Sequence, residues 1–201
     1  IYVAPGNAGT AQIADNLDIS PSDIESLAKV AQGKGIELVV VGPEIPLANG
    51  IVDRFQGIGI PIFGPTKAAS QIESSKVFAK ELMQKYKIPC ARSVSFSSYT
   101  QAKKYIQRQQ PPMVVKADGL AAGKGVTVAN SIPQALEALA TIMEAKAFGT
   151  AGEKVIIEEY LSGREISAFA FTDGITVVPM VAACDYKQVF DGNNGPNTGG
   201  M

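Results

Sequence analysis

The run Val114-Val115-Lys116-Ala117-Asp118-Gly119-Leu120-Ala121-Ala122-Gly123-Lys124-Gly125-Val126 is the part of this sequence best suited to chemistry. One lysine ends an apolar strand-like segment, and a second sits in a Gly/Ala-rich loop that leads into another such segment. Small residues let backbone N–H groups approach an anion and lysines add point charge, so the natural guest is a phosphate. This is not a loop of the G-x-x-x-x-G-K-[ST] type. Asp118 stands at its first glycine, Gly125 replaces its hydroxyl residue, and a strand follows instead of a helix. That argues against a phosphate site on a helix N-terminus. A bare Gly-Lys-Gly reads as a flexible hairpin with solvated lysines. Lys116 shifts the balance, because a lysine inside an apolar strand is costly unless it meets an anion.

Two further stretches carry polar groups at useful spacing. In Val155–Ile166 an apolar run meets Glu158 and Glu159, bends at Ser162-Gly163 and resumes after Glu165. These acids could accept hydrogen bonds from nucleotide hydroxyls or an exocyclic amine, although the piece alone reads more simply as a charged hairpin end. From Cys184 to Met201 the chain is rich in Gly, Asn and Pro, and it reads equally as a linker or as an anion- or substrate-binding loop. Shorter loops after apolar runs, Pro5–Thr10 and Gly42-Pro43-Glu44, lie where open parallel sheets bind ligands.

The elements that must position these residues fall into two patterns. Ile1–Ala4, Leu38–Val41 and Ile60–Phe63 are strand-like and alternate with helical segments. One helix is expected to open at Ser20-Pro21-Ser22-Asp23 and end at Gly33 and Gly35, and another covers about Leu47–Gln56. Leu38–Val41 is apolar throughout, which predicts a parallel strand covered on both faces. This rhythm predicts an open, mostly parallel sheet. Helices are then expected over Ser74–Lys87 and Tyr99–Gln109. Met113–Ala117, Val126–Ala129, Val155–Tyr160, Ile166–Phe171 and Ile175–Val181 read as strands, interrupted by a helix at Ser131–Lys146 that opens on a Ser-x-x-Gln capping pattern. The expected fold class is therefore α/β, a Rossmann-like parallel sheet followed by an α+β region. The expected division is 1–74 and 75–201, with a small subdomain at about 113–181.

Composition narrows the chemistry. The 201 residues are 46% hydrophobic and 18% charged, as in a globular chain. The net charge of −1 offers no bulk attraction for nucleic acid or an anionic membrane. There is no histidine, so within this sequence a Ser-His-Asp or Cys-His site and a His-ligated zinc are excluded. The two cysteines, Cys90 and Cys184, read as reduced thiols of a cytosolic protein. No apolar run has the roughly 18 residues of a membrane helix. The chain starts inside a strand-like run and stops in a Gly-rich loop, which reads as a piece of a longer protein.

Together the segments resemble the glycinamide ribonucleotide synthetases of the ATP-grasp superfamily. They are APGNAGTA (Ala4–Ala11), VVGPEIPLANGIVD (Val40–Asp53), IFGPTKAASQIESSKVFAKE (Ile62–Glu81), VVKADGLAAGKGV (Val114–Val126), AFG (Ala147–Gly149), VIIEEYLSGREIS (Val155–Ser167) and GPNTGGM (Gly195–Met201). The resemblance implies a Rossmann-like N-terminal domain and ATP-grasp lobes that hold ATP between them. It also implies a ligase of de novo purine synthesis. Glycine's carboxylate attacks the γ-phosphate of ATP to give glycyl phosphate, and the amine of 5-phosphoribosylamine then displaces phosphate. By resemblance, Lys76 and Lys116 reach the ATP phosphates, and the loop containing Gly123, Lys124 and Gly125 closes over them. Glu158, Glu159 and Leu161 line the adenine side, Glu165 holds the ribose and Lys187 lies near the phosphates. Gly6, Asn7, Pro43, Asp185, Asn197, Thr198, Gly199 and Gly200 face phosphoribosylamine and glycine. Relatives often read Asp-His-Lys-Arg where this chain has Asp185-Tyr186-Lys187-Gln188. The implied cofactors are ATP and Mg²⁺, with the metal's ligands expected beyond residue 201, so the segment alone is expected to be inactive. The implied setting is a cytoplasmic monomer that binds small molecules and neither nucleic acid nor membrane. Other readings are an ATP-grasp ligase for a different carboxylate and amine, or a nucleotide-binding module without catalysis.

Overall fold

The computed structural model describes residues 1–121, 124–184, 186, 188–192 and 194–197. The N-terminal part pairs its strands in parallel. β1 (Tyr2–Val3) lies beside β2 (Asp15–Asn16) with Val3 opposite Asn16. After α1 (Ile24–Gly33), β3 (Val39–Val40) is followed by α2 (Glu44–Asn49), α3 (Ile51–Gly57) and β4 (Ile62–Phe63). β3 and β4 are also parallel, with Val39 opposite Ile62. Ala28 and Ala31 of α1 and Ile51, Val52 and Phe55 of α3 form the core here, closed by Ile60.

Local chemistry moves several boundaries. α1 is capped by Asp23, whose carboxylate accepts from Ser26 N at 3.1 Å, and not by Ser20. Ser20 instead closes the preceding turn, its carbonyl accepting from Asp23 N at 3.0 Å. The single helix expected over Leu47–Gln56 is two, starting earlier at Glu44 and broken at Gly50, whose φ of +92° suits glycine. The strand expected to be covered on both faces is not: Leu38 is 60% and Val40 68% exposed.

The helix expected over Ser74–Lys87 is α5 (Lys76–Lys85); a short α4 (Gln71–Ser74) precedes it and meets it at an extended Ser75. Ser75 caps α5, its Oγ accepting from Phe78 N at 3.1 Å. Then come β5 (Ser93–Phe96), which the sequence reading did not assign, α6 (Tyr99–Ile106), β6 (Met113–Ala117), β7 (Val126–Ala129), α7 (Ile132–Met143) and β8 (Val155–Glu159). The strands form one antiparallel sheet in the order β5-β8-β6-β7. α6 stops at Ile106, short of Gln109, and α7 at Met143, short of Lys146. Half of the capping pattern at α7 forms, Ser131 Oγ accepting from Gln134 N at 3.4 Å, while Gln134 Oε1 reaches one residue beyond the cap and accepts from Asn130 N at 2.9 Å.

Strand alternation decides what each face of this sheet does. Met113, Val115, Ala117, Val155 and Ile157 join Ala102 and Ile106 of α6 and Ala135, Leu139 and Ile142 of α7 in the main core. The opposite face carries Val114, Lys116, Ile156 and Glu158, with Lys116 opposite Ile156 and Val114 opposite Glu158. Beyond it, β9 (Ala170–Thr172) and β10 (Val177–Pro179) form a hairpin shorter than the two strands expected there. At its turn Asp173 Oδ1 accepts from Ile175 N at 2.9 Å and Thr176 N at 2.7 Å. The stretch read as a linker or a loop contains strands β11 (Gln188–Phe190) and β12 (Asn194–Asn197), paired antiparallel. The chain is thus α/β: parallel strand pairs with helices first, then an α+β region built on the four-stranded sheet.

Candidate functional site

The polar face of the sheet meets α5 in a compact charged cluster. Glu158, its side chain only 4% exposed, lies between two lysines. Lys116 Nζ donates to its Oε2 at 2.6 Å, and Lys80 Nζ lies 3.1 Å from its Oε1. A carboxylate this deeply buried needs a cationic partner, and here each oxygen has one. The two lysines are held differently. Lys80, 17% exposed, also donates to the Ala91 carbonyl at 3.1 Å. Lys116 is 26% exposed.

One turn earlier on α5, Lys76 Nζ donates to the Gly119 carbonyl at 2.9 Å, at the start of the Gly/Ala-rich loop. Burial is the largest influence on its ammonium and pushes its pKa below the ordinary lysine value, against the pull of Glu73 and Asp118. Asp118 fixes this corner. Its carboxylate accepts from Val77 N at 2.8 Å and from Ser75 Oγ at 3.1 Å, and its backbone N donates to Ala151 and Lys154 carbonyls. A carboxylate on the first turn of α5 is well placed against the helix dipole. It ties α5 to the end of β6, so Lys76 and Lys116 are presented from two elements locked together. Gly119 permits this closeness: a Cβ there would lie 2.7 Å from the Ala151 Cβ.

The structure thus brings Lys76, Lys116 and Glu158 together. Gly125 sits at the base of the loop, its carbonyl accepting from Ala117 N at 2.9 Å, and Lys124 is exposed. Gly123, Asp185, Lys187, Thr198, Gly199 and Gly200 lie outside the described residues. Asn197 is the residue of β12 opposite Gln188. Leu161 is 64% exposed, and Glu165 is exposed with its carbonyl 3.4 Å from the Cys184 sulfur. Tyr186 is exposed.

Glu159 is not brought to the cluster. It alternates to the other sheet face, where Arg92 Nε donates to Oε2 at 2.7 Å and Arg92 N to Oε1 at 2.8 Å. Hydrogen bonding from the Arg92 side chain, then from its backbone, holds the Glu159 carboxyl below the ordinary 4.5. A carboxyl lowered on folding stabilises above its unfolded pKa, and the effect fades as pH falls through the folded value. Wild type is therefore expected to exceed Glu159→Gln in urea unfolding at neutral pH, with the gap closing below pH 4.5.

Asn7 and Gly6 are engaged in a turn of their own. Asn7 Oδ1 accepts from Gly9 N at 2.8 Å and Thr10 N at 3.0 Å, while Asn16 Nδ2 donates to the Asn7 carbonyl at 2.8 Å. Gly6 has φ +76°, and a Cβ there would fall 2.2 Å from Asn16 Oδ1. Gly6→Ala is therefore expected to cost about 1–3 kcal/mol, read from denaturant unfolding. Pro43 precedes α2 in extended conformation.

Sequence reasoning gave no role to Lys80, Ser75 or Asp118. Lys80 lies four residues after Lys76 on the same helix face, a spacing that on a helix of mixed charge marks no site by itself. Asp118 drew attention only as a departure from the P-loop pattern. Among the described residues no three His, Cys, Asp or Glu side chains group as metal ligands, and no helix is long and apolar enough to cross a membrane.

Comparison with known proteins bears on the whole chain. Residues 1–73 match the phosphoribosylglycinamide synthetase N domain, and residues 74–201 match the ATP-grasp (A) domain of the same family. A phosphoribosylamine--glycine ligase from Halalkalibacterium halodurans is 50% identical over all 201 residues, which make up 47% of that protein. The crystal structure of phosphoribosylamine--glycine ligase from Thermotoga maritima superposes with TM-score 0.82 at 34% identity, covering all of this chain and 48% of that one. Biotin carboxylase from Campylobacter jejuni, solved as a β-γ-ATP complex, shares the fold at TM-score 0.72 and 19% identity over 89% of this chain and 43% of its own. The chain spans about half the length of the curated bacterial relatives it matches.

Proposed function

This chain belongs to the phosphoribosylglycinamide synthetase family, and from that premise we propose that it forms the nucleotide-binding part of an ATP-dependent ligase joining glycine to 5-phosphoribosylamine. The observation that carries this reading is the convergence of Lys76 and Lys116 at the Gly/Ala-rich loop, with Glu158 between Lys116 and Lys80.

In this reading Lys116 exchanges its bond to Glu158 for an ATP phosphate oxygen, and Lys76 exchanges the Gly119 carbonyl for another. Both ammonium groups neutralise charge that moves onto phosphate oxygens during transfer. Glu158 Oε2, released by Lys116, accepts from the exocyclic amine of adenine, with Leu161 along the same edge. Glu165 accepts from ribose hydroxyls, and Lys124 and Lys187 add charge above the phosphates. The Glu159 carboxylate, bound to Arg92, supports the edge of the sheet, which leaves the backbone of Glu159 as the part that lines the adenine side. Gly6, Asn7, Pro43, Asp185, Asn197, Thr198, Gly199 and Gly200 serve phosphoribosylamine and glycine. A glycine carboxylate oxygen attacks the γ-phosphorus and the bond to ADP breaks. The amine nitrogen of phosphoribosylamine then attacks the acyl carbon, phosphate leaves, and the nitrogen loses a proton. Positioning and charge supply most of such a reaction, so the absence of histidine from this sequence is no obstacle.

The described residues do not fit a Mg²⁺ site. Glu158 is taken by two lysines and Asp118 by α5. The proposed setting is a cytoplasmic monomer.

The test is ADP release by the full-length protein supplied with ATP, glycine and phosphoribosylamine. Release dependent on both co-substrates, with glycinamide ribonucleotide as product, is expected. Release that ignores glycine but follows another carboxylate would assign a different ATP-grasp ligase, and no release would leave a nucleotide-binding module.

A further inference from the structure

We propose that Lys80 is a positioning residue that sets the preference of this site for a purine bearing an exocyclic amine. The proposal rests on the nucleotide site put forward above and adds a residue to it. Glu158 is held at both carboxylate oxygens, yet its two lysines are not equivalent. Lys80 has a second anchor, the Ala91 carbonyl at 3.1 Å, and is the less exposed of the pair. Lys116 sits at the end of β6 next to the loop, with Glu158 as its partner at 2.6 Å. When Lys116 turns to a phosphate, Lys80 remains as the group that fixes the carboxylate, and Oε2 is then presented as an acceptor. A carboxylate has about four lone-pair directions, so one bond to Lys80 leaves room for a ligand amine. A 6-amino purine offers a donor at that point. A 6-oxo purine presents an acceptor oxygen to an acceptor oxygen, which is unfavourable in a desolvated site.

Without Lys80 the carboxylate has Lys116 as its nearest cation. Lys116 is then retained by Glu158 and Glu158 by Lys116, so phosphate contact and base discrimination weaken together. A residue that only supports α5 would, on removal, weaken every nucleotide alike.

The experiment measures ATP and inosine triphosphate affinity by calorimetry for the full-length protein and for Lys80→Met, whose side chain is close in length but uncharged. Wild type is expected to prefer ATP, and Lys80→Met to lose about tenfold or more of that preference while retaining a cooperative melting transition. Lys80→Arg, which keeps the charge, should retain most of the preference, and it decides the matter if Lys80→Met does not fold. Equal weakening of both nucleotides in Lys80→Met, or a folded Lys80→Arg without preference, would overturn the assignment and leave the ATP site standing. Wild type that binds neither nucleotide would overturn the ATP reading and the role of Lys80 with it.

Discussion

Glu158→Ala is expected to destabilise the chain by about 3–5 kcal/mol, the largest effect of any single substitution at the site. The reason is asymmetric. Glu158 is 4% exposed and satisfies two ammonium groups that are themselves mostly withdrawn from water. Removing the carboxylate leaves Lys80 and Lys116 facing one another with no counter-charge, and like charges in a medium of low polarity repel strongly. It also leaves a void beside Ile156, which is 1% exposed. Glu158→Gln keeps the shape and should recover part of the loss, because an amide oxygen can still accept from one lysine. Urea unfolding of the three proteins checks this order: wild type above Glu158→Gln above Glu158→Ala. Equal midpoints would mean that the buried ion cluster contributes nothing to the fold.

Lys116→Ala is expected to show the opposite balance, a small change in stability and a large one in nucleotide binding. Glu158 keeps Lys80 when Lys116 is removed, so no buried charge is left without a partner. A charge-assisted hydrogen bond to phosphate is worth about 1.5–3 kcal/mol, so ATP should bind the full-length variant roughly ten- to a hundredfold more weakly. Lys80→Met and Lys116→Ala should not be additive, because both substitutions act through the same carboxylate. The contrast between the two variants would separate stability from nucleotide binding: Glu158→Ala is expected to act mainly on the fold and Lys116→Ala mainly on the ligand.

The elements of this fold differ in how readily sequence alone exposes them. β6 and β8 are legible because their apolar runs are long, and α7 because Ser131 and Gln134 mark its start. Helix breaks are harder to read. Gly50 divides α2 from α3 by adopting a positive φ that a lone glycine does not announce, and Ser75 divides α4 from α5 because Asp118, 43 residues away, docks on the first turn of α5. β5 escapes because Ser93-Val94-Ser95-Phe96 has too few apolar residues to stand out, and it is a strand through its pairing with β8. Lys116 could be singled out because a lysine among valines is anomalous in itself. Lys80 could not, since on a helix of mixed charge it looks like any solvated lysine until the buried Glu158 is seen beside it. Glu158 and Glu159 illustrate the same limit: adjacent and chemically identical, they are sent by strand alternation to opposite faces, one to the lysines and one to Arg92.

The central claim is that Lys116 binds an ATP phosphate at this site. It is tested most directly by the ratio of adenosine to ATP dissociation constants, measured for the full-length protein and its Lys116→Ala variant. The account predicts that adenosine affinity is nearly unchanged while ATP affinity falls, so that the ratio drops by about tenfold or more. A folded Lys116→Ala protein with the wild-type ratio would contradict it.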